Sequence, residues 1–182
     1  MGGRVSFTYD VYLSFRGEDT RYGFTSHLFH ALVQRGINSF FDDKDILRNG
    51  DETTSSSLVN AIKQSRIPIV VLSKNYAFSS FCLKELTAIL GCFEEKDIKN
   101  GRLVFPVFYD VYPSDVRNCK GSYGEALAKH EQTFKDDIQE VEKWRSALQM
   151  AAQLSGFRFK IGYICYHHFS FNSLHFNLEL HF

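Results

Sequence analysis

The sequence predicts an α/β protein in which helices cover both faces of a parallel sheet. Apolar segments rich in Val, Ile, Phe and Tyr alternate along the chain with segments of helical periodicity. One apolar segment, 67–72, is a continuous run of the kind found in fully buried parallel strands. Strands that alternate with helices are joined by right-handed crossovers, which place successive strands parallel in one sheet.

The individual elements follow from the same patterns. Strands are predicted at 9–15, 37–41, 67–73 and 103–109. An apolar stripe over 21–36 that stops at Gly36 predicts a helix with a glycine C-cap, and Asp19 and Thr20 are expected to cap its start. The other helices are predicted at 55–65, 81–96, 122–135 and 139–155, the last ending at Gly156.

Composition excludes several classes of protein. The 182 residues, 44% of them hydrophobic and 23% charged, fit one globular domain with a sizeable core. Lys plus Arg and Asp plus Glu both total 21, so nothing predicts nucleic acid as the main partner. The four cysteines form no CxxC pair, and we interpret them as free thiols of a reducing cytosol.

The sequence also predicts where the protein resides. No apolar run approaches the roughly 18 residues that span a bilayer, and the N-terminus lacks the apolar core of a signal peptide. We therefore expect a cytoplasmic protein, with the nucleus as a further location. The first six residues match a short, loose pattern for N-myristoylation at Gly2.

In parallel α/β sheets, ligands bind beyond the carboxyl ends of the strands. The loops that follow the predicted strands are 16–20, 42–54, 74–80 and 110–121. Neither GxGxxG nor GxxxxGK[ST] occurs, which argues against a classical dinucleotide fold and a P-loop NTPase. The third strand does not end in the Asp that a phospho-receiver domain requires.

Glu85 stands out because it interrupts an apolar helical pattern. Phe81 precedes it by four residues, which places both on one face of the predicted helix. A carboxylate beside apolar neighbours loses hydration, which raises the free energy of the folded protein. A structural partner or a positively charged substrate can compensate for this cost. From periodicity alone, a surface residue paired with Lys84 is the commoner interpretation.

Four motifs follow one another along the chain. They are Tyr-Asp-Val-Tyr-Leu-Ser-Phe-Arg-Gly-Glu-Asp-Thr-Arg at 9–21, Ser-Lys-Asn-Tyr-Ala at 73–77, Phe-Cys-Leu-Lys-Glu-Leu at 81–86 and Phe-Tyr-Asp-Val-Tyr-Pro-Ser-Asp-Val-Arg at 108–117. Together they resemble the motifs of a plant TIR domain, and the resemblance covers about 5–160. It implies a flavodoxin-like three-layer fold, with a central parallel sheet of four to five strands flanked by helices. We assign 1–8 to an N-terminal segment, 9–160 to the TIR domain and 161–182 to an atypical tail outside the fold.

The resemblance implies an enzyme of plant innate immunity that cleaves the nicotinamide–ribose bond of NAD+ or NADP+. Glu85 would be the catalytic residue, and Phe81 would pack against nicotinamide where the family commonly carries Trp. The products would be ADP-ribose-type signalling nucleotides, with cyclase activity as an additional expectation. NAD+ is the substrate, and no cofactor or metal is expected.

The resemblance also implies roles for other residues of the expected pocket. Phe15, Arg16 and Gly17 resemble the pocket wall after the first strand, with Arg16 a partner for the pyrophosphate or for a neighbouring carboxylate. A structural role for Arg16 has equal weight. Ser79 resembles the wall on the ribose side, where its hydroxyl would hydrogen-bond.

The loop 42–54 corresponds to a mobile loop that gates the pocket in the family. Arg48 and Gly50 are its candidate residues, although the surrounding sequence departs from the usual plant pattern. Gly50 still permits the positive φ that a turn there would need.

Members of this family act as oligomers. Ser26 and His27 resemble a pair used in one self-association surface, and Gly156 resembles a glycine of a second surface. Half-buried packing of His27 and a C-cap at Gly156 remain open alternatives. Expected partners are other TIR domains, as homo- or hetero-oligomers, and downstream lipase-like heterodimers. A catalytically weak interaction module that regulates full-length receptors is the alternative function.

The last 22 residues differ in composition from the rest of the chain. They contain four of the seven histidines and no Lys or Arg, and 174–182 alternate strictly between apolar and polar residues. A metal site among these histidines is the less favoured interpretation. We expect translated intron or alternative-exon sequence.

Overall fold

The computed structural model describes residues 7–41, 56–92 and 103–160. These residues form a five-stranded sheet, parallel throughout, in the order β2-β1-β3-β4-β5. The strands are β1 Tyr9–Phe15, β2 Ser39–Phe41, β3 Ser65–Leu72, β4 Phe105–Tyr109 and β5 Phe157–Phe159. The helices are α1 Gly17–Thr20, α2 Ser26–Gln34, α3 Ser56–Lys63, α4 Ser80–Gly91, α5 Pro113–Arg117, α6 Ser122–Thr133 and α7 Ile138–Ala151.

This architecture confirms the predicted three-layer α/β fold. The strand order reverses between β1 and β3, so the carboxyl ends of these two strands border the crevice where such sheets bind ligands. The position of the short β5 was not predicted.

The alternation of side chains along β1 decides what each face of the sheet presents. Val11, Leu13 and Phe15 pack with α2 in one buried cluster. Tyr12 belongs to the larger cluster on the opposite face, with apolar residues of α3, α4, α6 and α7. Because side chains in a strand alternate, Ser14 lies on the same face as Tyr12, towards α4.

The predicted start of the first helix was wrong. The chain is already helical at Gly17 in α1, and a π-helical turn at Arg21–Thr25 with a non-helical Gly23 separates α1 from α2. Asp19 lies inside α1 and does not cap the helix. The end was predicted correctly: Gly36 has φ +74 and its N–H donates to the Val33 carbonyl at 2.9 Å.

Gly156 is not a C-cap. Helix α7 ends at Ala151 with Ala152 as its cap residue, and Gly156 follows four residues later, just before β5. A Cβ atom on Gly156 would lie 2.3 Å from the backbone oxygen of Pro106 in β4. Glycine is required here because the two backbones approach so closely.

Candidate functional site

Glu85 lies on the buried face of α4 and is only 4% exposed. Ser79 begins this helix as its N-cap, since its side-chain oxygen accepts a hydrogen bond from the backbone N–H of Cys82 at 3.2 Å. Glu85 follows Cys82 by three residues and therefore faces the sheet with it. The surface interpretation of Glu85 is thus wrong.

Two hydroxyl groups of β1 donate to the Glu85 carboxylate. Tyr12 donates its phenolic hydrogen to Oε1, and Ser14 Oγ donates to Oε2 at 2.5 Å. Both side chains are fully buried. The hydrogen bonds compensate part of the desolvation that a buried carboxylate incurs.

Tyr76, in the short helical turn Tyr76–Phe78, extends this network. Its hydroxyl lies 3.1 Å from Ser14 Oγ and donates to the backbone carbonyl of Cys82 at 3.0 Å. Burial raises the pKa of Tyr76 well above its usual value, and the charges of Cys82 and Glu85 raise it further. Tyr76 therefore stays protonated, and it connects β1, the turn after β3, and α4.

The geometry limits what Glu85 can do chemically. Tyr12 and Ser14 each donate to one of its oxygens, and an ionised carboxylate held in this way can stabilise a nearby cation. At 4% exposure, Glu85 presents little of its surface to solvent or to a ligand.

Arg16 and Asp19 form a second polar cluster beyond the carboxyl end of β1. The Arg16 guanidinium pairs with Glu18 and with Asp19, the latter at 2.6 Å. Asp19 also accepts hydrogen bonds from Ser73 Oγ at 2.6 Å and from the backbone and side-chain amides of Asn75 at 3.1 and 3.2 Å. We call Arg16, Asp19, Ser73 and Asn75 the Asp19 clamp, because they connect α1, directly after β1, with the loop after β3.

The environment of Asp19 favours its charged form. Partial burial alone would raise the pKa of its carboxyl. The hydrogen bonds from Ser73 and Asn75 and the positive charge of Arg16 outweigh that effect and hold the pKa below its usual value. The clamp supplies the neighbouring carboxylate that was one of the two predicted partners of Arg16.

The structure separates some of the predicted pocket residues. Phe81 is half-buried and packs against the cluster on the α4 side of the sheet. Phe15 belongs to the cluster on the opposite face, where the Arg21 guanidinium lies 5.0 Å from the centre of its ring. Gly17 is the first residue of α1. Phe81 therefore lies on the Glu85 side of the sheet, whereas the ring of Phe15 does not.

The residues predicted for self-association lie on separate elements. Ser26 and His27 are in the first turn of α2, where the exposed His27 ring contacts the Gly23 carbonyl at 2.6 Å. Gly156 precedes β5. Their role in self-association stays a prediction. Arg48, Gly50, the possible myristoylation site at Gly2 and the histidine-rich tail all lie outside the described residues.

Sequence reasoning missed several residues of these two networks. Tyr12, Ser14 and Tyr76 received no role, and Asp19 was taken for a helix cap. Ser14 offered a signal, because it is the polar residue of the run 11–15 in a buried strand. No sequence signal connects Asp19 with Ser73 and Asn75, which follow a different strand.

Comparison with known proteins identifies the family. The TIR domain family matches residues 8–162, most of the chain. The chain belongs to the TIR domain family. Among the described helices of this TIR domain, none is long and apolar enough to cross a bilayer.

The relatives of this TIR domain are plant disease resistance proteins. It is 53% identical over 149 residues to the disease resistance protein RPV1 of Vitis rotundifolia, covering 82% of this chain and 10% of that protein. It is 47% identical over 150 residues to the TMV resistance protein N of Nicotiana glutinosa, covering 82% of this chain and 13% of that protein. The chain therefore spans about a tenth of the length of these relatives.

A solved structure supports the same assignment. The TIR domains of the activated Roq1 resistosome, which directly recognizes the pathogen effector XopQ, superimpose with a TM-score of 0.74 at 47% identity. The match covers 86% of this chain and 90% of the other. The predicted resemblance to a plant TIR domain is thus confirmed.

Proposed function

We propose that this TIR domain is an NAD+ or NADP+ glycohydrolase with Glu85 as its catalytic residue. The observation that carries the proposal is the ordered Glu85 carboxylate beside the carboxyl-terminal half of β1, where the strand order of the sheet reverses. A helix positions this carboxylate, and neutral donors orient it without cancelling its charge.

The reaction requires a negative charge near the ribose, and it does not require an acid to protonate the leaving group. As the C1′–N1 bond of NAD+ breaks, nicotinamide leaves as a neutral molecule with the bonding electron pair, and positive charge develops on the ribose. Glu85 stabilises that charge. Water then forms the new C1′–O bond and loses a proton, which gives ADP-ribose; attack by an atom of the nucleotide itself gives a cyclic product.

Three side chains fit the substrate-binding roles. Phe81, one turn before Glu85, offers an aromatic face to nicotinamide. Ser79 accepts a hydrogen bond from Cys82 but still carries its own hydroxyl hydrogen, which it can donate to a ribose oxygen. Arg16 can reach the pyrophosphate only in competition with Glu18 and Asp19.

We place this activity in the immune signalling of the plant cytoplasm. Two relatives are disease resistance proteins, and the matching solved TIR domains come from an activated resistosome. Self-association through α2 and the region of Gly156 would switch the enzyme on. The nucleotide products would then be recognised by lipase-like heterodimers.

A second candidate function is an interaction module without significant activity. The burial of Glu85 favours it, because both carboxylate oxygens accept hydrogen bonds and only 4% of the residue is exposed. Such a module would assemble with other TIR domains and regulate them.

The test is nicotinamide release from NAD+ and NADP+ by the purified full chain, at high concentration or on a crowding surface. Glu85→Ala is measured alongside, with Glu125→Ala as a control that removes an exposed glutamate of α6. Self-association of all three proteins is followed by light scattering.

We expect release by the wild type and by Glu125→Ala, and none by Glu85→Ala, although all three self-associate. A folded, self-associating wild type that releases no nicotinamide would instead establish the interaction module. Release that survives in Glu85→Ala would remove Glu85 from the catalytic role.

A further inference from the structure

The hydroxyl groups of Tyr12 and Ser14 converge on one carboxylate from one strand. The two residues are separated by a single position in β1, so they project from the same face, and each donates to a different oxygen of Glu85. Both are 0% exposed and Glu85 is 4% exposed. Two short hydrogen bonds to different oxygens fix the orientation of the carboxylate plane as well as its position.

Neither donor is free to turn away. The Tyr12 ring stacks on Phe40 of β2, with the ring centres 5.4 Å apart and the planes 6° from parallel. Ser14 is held from its other side by the Tyr76 hydroxyl at 3.1 Å. Each hydroxyl is therefore positioned by a contact other than its hydrogen bond to Glu85.

A count of hydrogens shows how the network responds to charge. Tyr12, Ser14 and Tyr76 supply three hydroxyl hydrogens for four contacts, which include the bond from Tyr76 to the Cys82 carbonyl. With Glu85 ionised, Ser14 donates to the carboxylate, and Tyr76 shares its hydrogen between Ser14 and Cys82. Loss of Tyr12 or Ser14 removes a donor that favours the charged form of Glu85.

The other titratable groups around Glu85 do not replace these donors. Among the described residues they include the phenol of Tyr76 and the thiol of Cys82, which lie in the turn before α4 and in α4 itself. Burial raises the pKa of Tyr76 well above its usual value, so it stays neutral. Tyr76 thus adds no charge to the part of the network that holds Ser14 beside Glu85.

We propose that Tyr12 and Ser14 are positioning residues that keep Glu85 ionised and hold its two oxygens in one orientation. This proposal rests on the proposed function for its kinetic consequence, but its structural part is independent of activity. Neither residue touches the substrate; both act through Glu85.

The first test follows the charge on Glu85 directly. The full chain is labelled with ¹³C at the glutamate carboxyl carbons, and the Glu85 signal is assigned by its loss in Glu85→Gln. Its titration midpoint is measured in the wild type, Tyr12→Phe and Ser14→Ala. Tyr12→Phe keeps the ring that stacks on Phe40, so the fold is retained.

Two variants serve as matched controls. Tyr123→Phe removes the hydroxyl of another buried tyrosine, which donates to the Ser73 carbonyl at 2.8 Å. Ser65→Ala removes the hydroxyl of another buried serine, which donates to the Ala61 carbonyl at 2.7 Å. Both lose a buried hydrogen bond to a backbone oxygen, and neither loses a donor to Glu85.

We expect the Glu85 midpoint to rise by about one pH unit in Tyr12→Phe and in Ser14→Ala, because a hydrogen bond to a charged group favours that charge by about this much. The controls should leave the midpoint unchanged. Equal midpoints in all five proteins would overturn the proposal. A rise of similar size in the controls would also overturn it, since general loosening of the fold would then explain the effect.

The second test is the pH profile of nicotinamide release. In Tyr12→Phe and Ser14→Ala, kcat should fall about tenfold with little change in KM, and the acidic limb should move to higher pH. A shifted midpoint in a chain that releases no nicotinamide would uphold the positioning role and refute the enzyme. An active chain with unshifted midpoints would refute only the positioning role.

Discussion

Asp19 and Glu85 are two carboxylates near the carboxyl end of β1, and their surroundings differ in kind. Asp19 accepts from the Arg16 guanidinium and from the hydroxyl and amide groups of Ser73 and Asn75, which belong to a second loop. Glu85 accepts from the two hydroxyl groups of β1. A cation is part of the first network, whereas Tyr12 and Ser14 are both neutral.

This difference indicates which of the two carboxylates is suited to a catalytic role. The pairing of Asp19 with Arg16 leaves little negative charge for a substrate, so Asp19 is suited to hold two loops together. Tyr12 and Ser14 orient Glu85 without neutralising it, which suits stabilisation of a developing cation. The same functional group thus has two different environments near the end of one strand.

The prediction with the largest expected effect compares the two carboxylates by their contribution to activity. Glu85→Gln should lower nicotinamide release by about 100-fold or more, because the amide keeps the shape but not the charge. Asp19→Asn makes the same chemical change in the Asp19 clamp and should lower kcat by less than about threefold. Both variants are measured under conditions in which they are fully folded. A similar loss in the two variants would mean that the contrast between the carboxylates is not functional.

The second prediction concerns stability. Asp19→Ala should reduce the free energy of unfolding by about 2 kcal/mol, because it leaves the buried Ser73 and the partly buried Arg16 and Asn75 without their shared acceptor. Urea denaturation provides the measurement. Asp136→Ala, at an exposed aspartate, is the control and should change stability by less than about 0.5 kcal/mol. Equal effects would show that the clamp does not stabilise the fold.

The third prediction follows from the lowered pKa of Asp19. A carboxyl whose folded pKa lies below its unfolded value of about 4 contributes stability above that value and loses the contribution as pH falls through the folded pKa. Wild-type stability should therefore decline below about pH 4 more steeply than that of Asp19→Asn. Urea denaturation at several pH values between about 2.5 and 6 compares them. Parallel curves would contradict the assignment of a lowered pKa.

The smallest expected effect belongs to Arg16. Asp19 keeps its hydrogen bonds from Ser73 and Asn75 in Arg16→Gln, so this variant should lower the free energy of unfolding by less than Asp19→Ala does, by about 1 kcal/mol. If Arg16 also binds the pyrophosphate, KM for NAD+ should rise about tenfold while kcat changes little. An unchanged KM would assign Arg16 to the Asp19 clamp alone.

Much of the fold was predictable because it depends on local patterns. Strand β1 was predicted at its observed bounds, and Gly36 was recognised as the residue that ends α2. The errors occurred where local patterns compete with contacts from elsewhere. Gly156 has the position of a helix-ending glycine in sequence, but its need for glycine comes from the backbone of Pro106 in a neighbouring strand.

The candidate site was predictable only in part, for the same reason. Glu85 and Phe81 were found because a helical repeat relates them and because the surrounding motif resembles that of a family. Tyr12 and Ser14 were missed although they lie in a predicted strand, since their partner is 71 or more positions away in sequence.

The alternation of strands and helices, the face of β1 that carries two hydroxyl groups and the membership of the TIR domain family can all be read from the amino-acid sequence. These properties depend on side-chain periodicity and on motifs that are contiguous in the chain. The hydroxyl groups that reach Glu85 and the loop that Asp19 binds are visible only in the folded chain. Hydrogen bonds act over about 3 Å, and the chain brings these atoms that close only after α4 and β3 have packed beside β1.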